Sequence, residues 1–154
     1  MTLRRWMWVL IILSRTCLPL HAQGAGASSA TQIGIDERLG GTVALDTVFA
    51  GEDGAPVTLR QLIHTPTILA LVYYNCPNVC DYLLTGVAGV LKGLPAEPGK
   101  DFNVITISID DRETPADARR AMRIGLESIE KPFPPESWRF LTGTAPNIAA
   151  IADS

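Results

Sequence analysis

The chain has 154 residues, 47% of them hydrophobic and 19% charged, with thirteen basic and sixteen acidic side chains and a formal net charge of −3. That balance suits one globular domain with a packed core. With acidic side chains in excess, no nucleic-acid partner is expected, because phosphate binding needs a basic face.

At the start of the chain, Arg4 and Arg5 precede an apolar run from Trp6 to Leu13, and small residues follow at Ala22, Gly24 and Ala25. The run falls short of the about 20 apolar residues that span a bilayer, and Arg15 interrupts it. Residues 1–24 are therefore expected to be a cleaved signal peptide, with an uncleaved N-terminal anchor as the alternative, because Cys17, Leu18 and Leu20 extend the apolar character. The protein is expected in the periplasm or another exported compartment, held at the inner membrane if the anchor stays. Residues 25–32 are small and polar and read as a flexible lead, which leaves residues 33–154 for the folded domain.

Within that domain, Thr42 to Phe49 alternates as an edge strand, Glu52-Asp53-Gly54 supplies a turn, and a short segment follows from Val57 to Ile63. Thr67 to Tyr74 and Phe102 to Ile109 are near-continuous apolar runs, as in parallel strands covered on both faces. Between them Val79, Leu83, Leu84, Val87, Val90, Leu91 and Leu94 recur at helical spacing, and Gly93 with Pro95 closes the series. A second helix begins at Thr114, a cap followed by Pro115 and Asp117, with Ala118, Ala121, Met122, Leu126 and Ile129 as its apolar stripe. Trp138 to Thr142 is a third strand, and Thr144 opens a helix with Ile148 and Ile151 on one side. Ser154 comes about two turns into that helix, with no Gly or Asn to end it, so the chain is expected to be cut short. The order of elements is that of an α/β domain.

Removal of the signal takes Cys17 with it and leaves Cys76 and Cys80. In an oxidising compartment such a pair is a disulfide, a redox couple or a metal clamp. The pair sits where a buried strand gives way to a helix, and ligand sites gather outside the carboxyl ends of such strands. A helix start also favours thiolate over thiol. Three intervening residues set the sulfurs about one helical turn apart on one face, where both reach one ion. That is wider than the two-residue spacing of a thioredoxin-type redox motif. Structural zinc takes four ligands; two soft thiolates point to Cu(I) instead.

His64 lies before the Thr67–Tyr74 strand, which carries it to the far end of the sheet, so it reads as a bystander; His21 belongs to the signal. Tyr73 and Tyr74 read as packing, although alternation turns one of them toward the site. Asp110, Asp111 and Glu113 lead into a capped helix and read as dipole partners without a catalytic role. Met122 and Trp138 read as core.

The stretches VYYNCPNVC (72–80), ITISIDDRETP (105–115) and WRFLTGT (138–144) resemble the Sco/SenC family, which delivers copper to the binuclear copper centre of cytochrome c oxidase. The resemblance covers about residues 33–154. It implies a thioredoxin-like fold of three layers about a central mixed sheet, here incomplete at its C-terminal end. It also implies copper, as Cu(I) or Cu(II), on Cys76 and Cys80 together with a histidine that would lie beyond Ser154. The implied partner is the copper-accepting subunit of the oxidase. The alternative is a thiol-disulfide oxidoreductase in which Cys76 and Cys80 are the redox pair that reduces that subunit's cysteines. Asn78 stands where the family usually has Asp, and the loop Asp110-Asp111-Arg112-Glu113 is a residue shorter than usual.

Overall fold

The computed structural model describes the backbone of residues 39–76 and 79–154, and the side chains of 39–76 and 82–154. The expected signal, flexible lead and domain boundaries at residues 24 and 32 fall outside these residues. Phe102–Ile109 forms its strand as expected, with β4 at Asn103–Ser108 between β3 (Thr67–Val72) and β5 (Trp138–Leu141), all parallel. A two-stranded antiparallel hairpin, β1 (Val48–Ala50) and β2 (Pro56–Thr58), meets the end of this sheet through an antiparallel bridge between Ala50 and Thr142.

Strand alternation splits the core between the two faces of β4. Val104 packs with Trp138, Phe140 and Val72 under α2 (Val79–Gly93) and α3 (Pro115–Ser128). Ile105 and Ile107 pack with Leu141 against Phe49, Leu59 of α1 (Leu59–Leu62), and Ile148 and Ile151 of α4 (Ala145–Ala152). Each of these side chains that is fully buried contributes on the order of 1.5–3 kcal/mol. Helix α3 lies close against β5 at Gly125, where an added Cβ would come within 3.1–3.2 Å of Phe140 and Trp138. Among the described residues no helix is long and apolar enough to cross a membrane.

Four expectations are corrected in detail. The edge strand expected over Thr42–Phe49 shrinks to Val48–Ala50, because Thr47 N–H turns back to the carbonyl of Ala44 at 3.2 Å. The segment from Val57 divides into β2 and the helical turn α1, capped by Thr58 through a reciprocal bond pair with Gln61. Helix α2 buries Leu84, Ala88 and Leu91, while Leu83 and Val90 from the expected stripe flank that face and stay exposed. Strand β3, at the edge of its sheet, is only half covered, with Ile68 exposed.

Candidate functional site

Strand β3 ends at Val72, at the carboxyl end of the parallel sheet, and the chain turns at Tyr74 and Asn75 before reaching Cys76. Helix α2 starts at Val79, so Cys80 is its second residue. The cysteines therefore flank a strand-to-helix junction with the partial positive charge of a helix start beside them. Cys76 is half-buried. The side chain of Cys80, and with it the expected convergence of the sulfurs, lies outside the described residues.

The strand stops two residues earlier than expected because a carboxylate captures the backbone that would have continued it. Glu113 Oε2 accepts the N–H of Tyr74 at 2.8 Å and the Ser108 hydroxyl at 2.5 Å, while Oε1 accepts the N–H of Asn75 at 2.6 Å. Ser108 Oγ in turn accepts the N–H of Asp110 at 3.1 Å. Glu113 is 8% exposed, so the expectation that it serves only as a helix-dipole partner is corrected: it faces the cysteine loop. Asn75 is held a second time by its side chain, whose Oδ1 accepts from the guanidinium of Arg120; Arg120 also pairs with Asp117 at 3.1 Å.

The two tyrosines separate. Tyr74 is buried, and its hydroxyl lies 2.8 Å from the carbonyl of Leu141 and 3.0 Å from that of Thr106. Burial raises its phenol well above the usual value of 10.0. Tyr73 is 44% exposed on the outside of the turn. Trp138 is fully buried as expected and donates its indole N–H to Thr106 Oγ1 at 2.9 Å; Met122 is partly buried against the same cluster.

His64 sits between α1 and β3, bonded to the carbonyl of Gln61 at 2.9 Å, at the end of β3 away from Cys76. Asp110 belongs to a local pair in which hydrogen bonds from Arg112 bring its carboxyl down to about 2. Asp117 accepts the N–H and hydroxyl of Thr114 at 2.9 and 2.7 Å, which hold its carboxyl far below the usual carboxylate range. Among the described residues no three His, Cys, Asp or Glu side chains gather as a metal site. The role of Glu113 had one sequence signal: Thr106 and Ser108 place polar groups at alternate positions of an otherwise buried strand, which marks an internal polar network.

A family model described as SCO1/SenC matches residues 40–154. Protein SenC of Rhodobacter capsulatus is 35% identical over 94 residues, which are 60% of this chain and 37% of that protein. The chain thus spans well under half the length of that relative. A candidate electron transfer protein from Aquifex aeolicus VF5 shares the fold with a TM-score of 0.62 at 26% identity, over 75% of this chain and 70% of that one. ScoI of Bradyrhizobium japonicum, solved with copper bound, gives a TM-score of 0.52 at 28% identity over 73% of this chain and 66% of that one. The thioredoxin-like α/β architecture expected from the sequence is the one this chain shares with these structures.

Proposed function

Because the chain belongs to the SCO1/SenC family, we propose that Cys76 and Cys80 carry copper as cargo and pass it to the copper-accepting subunit of cytochrome c oxidase. The observation that carries this reading is the position of the two cysteines, four residues apart across the junction of β3 and α2. The donor chemistry fits the cargo: two thiolates form a soft set of low coordination number, and Cu(I) is the soft first-row ion that accepts it. ScoI of Bradyrhizobium japonicum, with copper bound, supports the choice of metal.

Each thiol gives up its proton on binding, so loading of one Cu(I) releases two protons or takes up preformed thiolates. Delivery is a ligand exchange in which thiolates of the acceptor replace Cys76 and Cys80 in turn, with no net change in copper oxidation state. The reading includes export by residues 1–24, cleaved or retained as an anchor, and a domain from residue 33 onward, supported by Arg4, Arg5 and the apolar run behind them.

Anaerobic titration of the reduced protein with Cu(I) tests this directly. We expect saturation at one metal per chain, protection of both thiols from iodoacetamide, and loss of tight binding in Cys76→Ser and Cys80→Ser. Thiols that remain fully alkylatable in the presence of Cu(I) overturn the reading.

A second reading, reduction of the acceptor's disulfide by Cys76 and Cys80, is favoured by the likeness to the Aquifex aeolicus protein described as a candidate electron transfer protein. Here the two thiols become one disulfide as the acceptor's disulfide gains two electrons and two protons. Cys80→Ser would then trap a mixed disulfide between Cys76 and a dithiol acceptor peptide supplied in its oxidised form.

A further inference from the structure

Copper carriage by the two cysteines leaves Glu113 without a part, although it is a buried carboxylate bonded to the loop that leads into Cys76. From its contacts we infer that Glu113 is a positioning residue for Cys76, acting through the backbone of Tyr74 and Asn75; this rests on the copper-carrying reading and deepens it.

Two successive N–H groups point at the two oxygens of one carboxylate, Tyr74 to Oε2 at 2.8 Å and Asn75 to Oε1 at 2.6 Å. Such a pair of bonds fixes the peptide groups that join Tyr73 to Tyr74 and Tyr74 to Asn75, and the next peptide group along the chain is the one that carries Cys76. The carboxylate is itself fixed: Ser108 donates to Oε2 at 2.5 Å, and the N–H of Glu113 bonds the carbonyl of Asp110 at 3.1 Å. Arg120 and Asp117 hold the side chain of Asn75 from α3, so the residue before Cys76 is pinned through both its backbone and its side chain.

These bonds do not need metal, so the loop keeps its conformation when the cargo leaves. A site that must accept and surrender an ion repeatedly gains from this, because ordering the loop is not charged against each binding event. Neither oxygen of Glu113 is replaceable by a donor. In Glu113→Gln the amide oxygen can accept from one backbone N–H only, and the NH₂ group then confronts the other. The loop is released on one side while the volume of the side chain is kept.

The test uses the full chain carrying Glu113→Gln, with Ser108→Ala as a milder variant that removes one donor from the carboxylate and leaves both backbone bonds. In the metal-free protein, amide exchange at Tyr74 and Asn75 is expected to quicken about tenfold or more in Glu113→Gln, with the amides of Ile105 and Ile107 in β4 unchanged. In a Cys80→Ser background the rate of Cys76 alkylation by iodoacetamide changes in step. Competition with the chelator bicinchoninate is expected to show Cu(I) affinity falling about tenfold, as follows when the competent loop conformer drops to about a tenth of the population.

Ser108→Ala should move the same three readouts in the same direction and by less, which keeps the inference testable if Glu113→Gln does not fold. A variant with a lower unfolding midpoint but wild-type exchange at Tyr74 and Asn75 and wild-type Cu(I) affinity shows a merely structural role and overturns it. If the unaltered protein binds no Cu(I), the copper reading falls, while exchange and alkylation still decide whether Glu113 positions Cys76.

Discussion

Glu52 and Glu113 are buried to the same degree, 8% exposed each, yet they are held in opposite ways. Glu52, in the turn between β1 and β2, receives the guanidinium of Arg139 at 2.8–3.2 Å and the N–H of Phe140 at 2.5 Å; the carbonyl of the same residue accepts from Arg119. Glu113 receives two backbone N–H groups and one hydroxyl, and no ion pair reaches it among the described residues. A buried carboxylate with a cation stitches the hairpin to β5 as a fixed joint. A buried carboxylate with neutral donors instead fixes the cysteine loop through the loop's own peptide groups.

The largest expected effect breaks the Glu52 joint. Arg139→Leu removes the guanidinium from the buried Glu52 side chain and leaves it the Phe140 N–H, and should lower the free energy of unfolding by about 3–5 kcal/mol. Urea unfolding measures it, and a midpoint equal to that of the unaltered protein would erase the distinction between the two carboxylates. Hydrogen bonding to Glu52 raises the Arg139 guanidinium above its usual value, so this ion pair persists to alkaline pH.

A smaller effect is expected beside Glu113. Tyr74→Phe keeps the ring packed on Phe140 but strips the hydroxyl from the carbonyls of Leu141 and Thr106, for about 1–2 kcal/mol. Because burial raises the Tyr74 phenol, its contribution is complete below the usual value of 10.0 and fades as pH rises through the higher folded value. In Tyr74→Phe the alkaline loss of stability should be reduced; an unchanged profile above pH about 10 would place that loss elsewhere.

The smallest effect concerns Asp117, which braces the same loop through Asn75 and Arg120. Hydrogen bonds from Thr114 depress its carboxyl, so its contribution is present above the usual 3.8 and is lost as pH falls toward the folded value. Urea melts between pH about 2 and 6 should slope downward in acid for the unaltered protein and flatten in Asp117→Asn, which should cost about 1 kcal/mol at neutral pH. A slope of equal steepness in the variant would remove Asp117 from the acid response.

Much of the fold was legible where a pattern is local. The apolar runs at Thr67 and Phe102 located β3 and β4, and Thr114-Pro115 located the start of α3 to the residue. The boundaries were less legible where distant groups intervene. Tyr73 and Tyr74 continue the apolar run and read as strand, but Glu113 takes the N–H groups of Tyr74 and Asn75, and the strand ends at Val72. Leu83 and Val90 fit the helical period of α2 and stay exposed, because period alone does not say how wide a stripe the sheet covers. The place of His64 at the far end of β3 from Cys76 was legible, since a strand of known rise separates them.

By itself the sequence determined where the cysteines stand: at a strand-to-helix junction, four residues apart, within motifs that identify the family. Those are properties of spacing and periodicity, which neighbours along the chain settle. Only the tertiary structure decided which carboxylate serves the hairpin and which the cysteine loop, because Glu113 lies 38 and 39 residues from the groups it holds and Glu52 lies 87 and 88 from its own. Contacts across such separations exist once β3, β4 and β5 have aligned in register, when the residue types are read against the space the sheet leaves them.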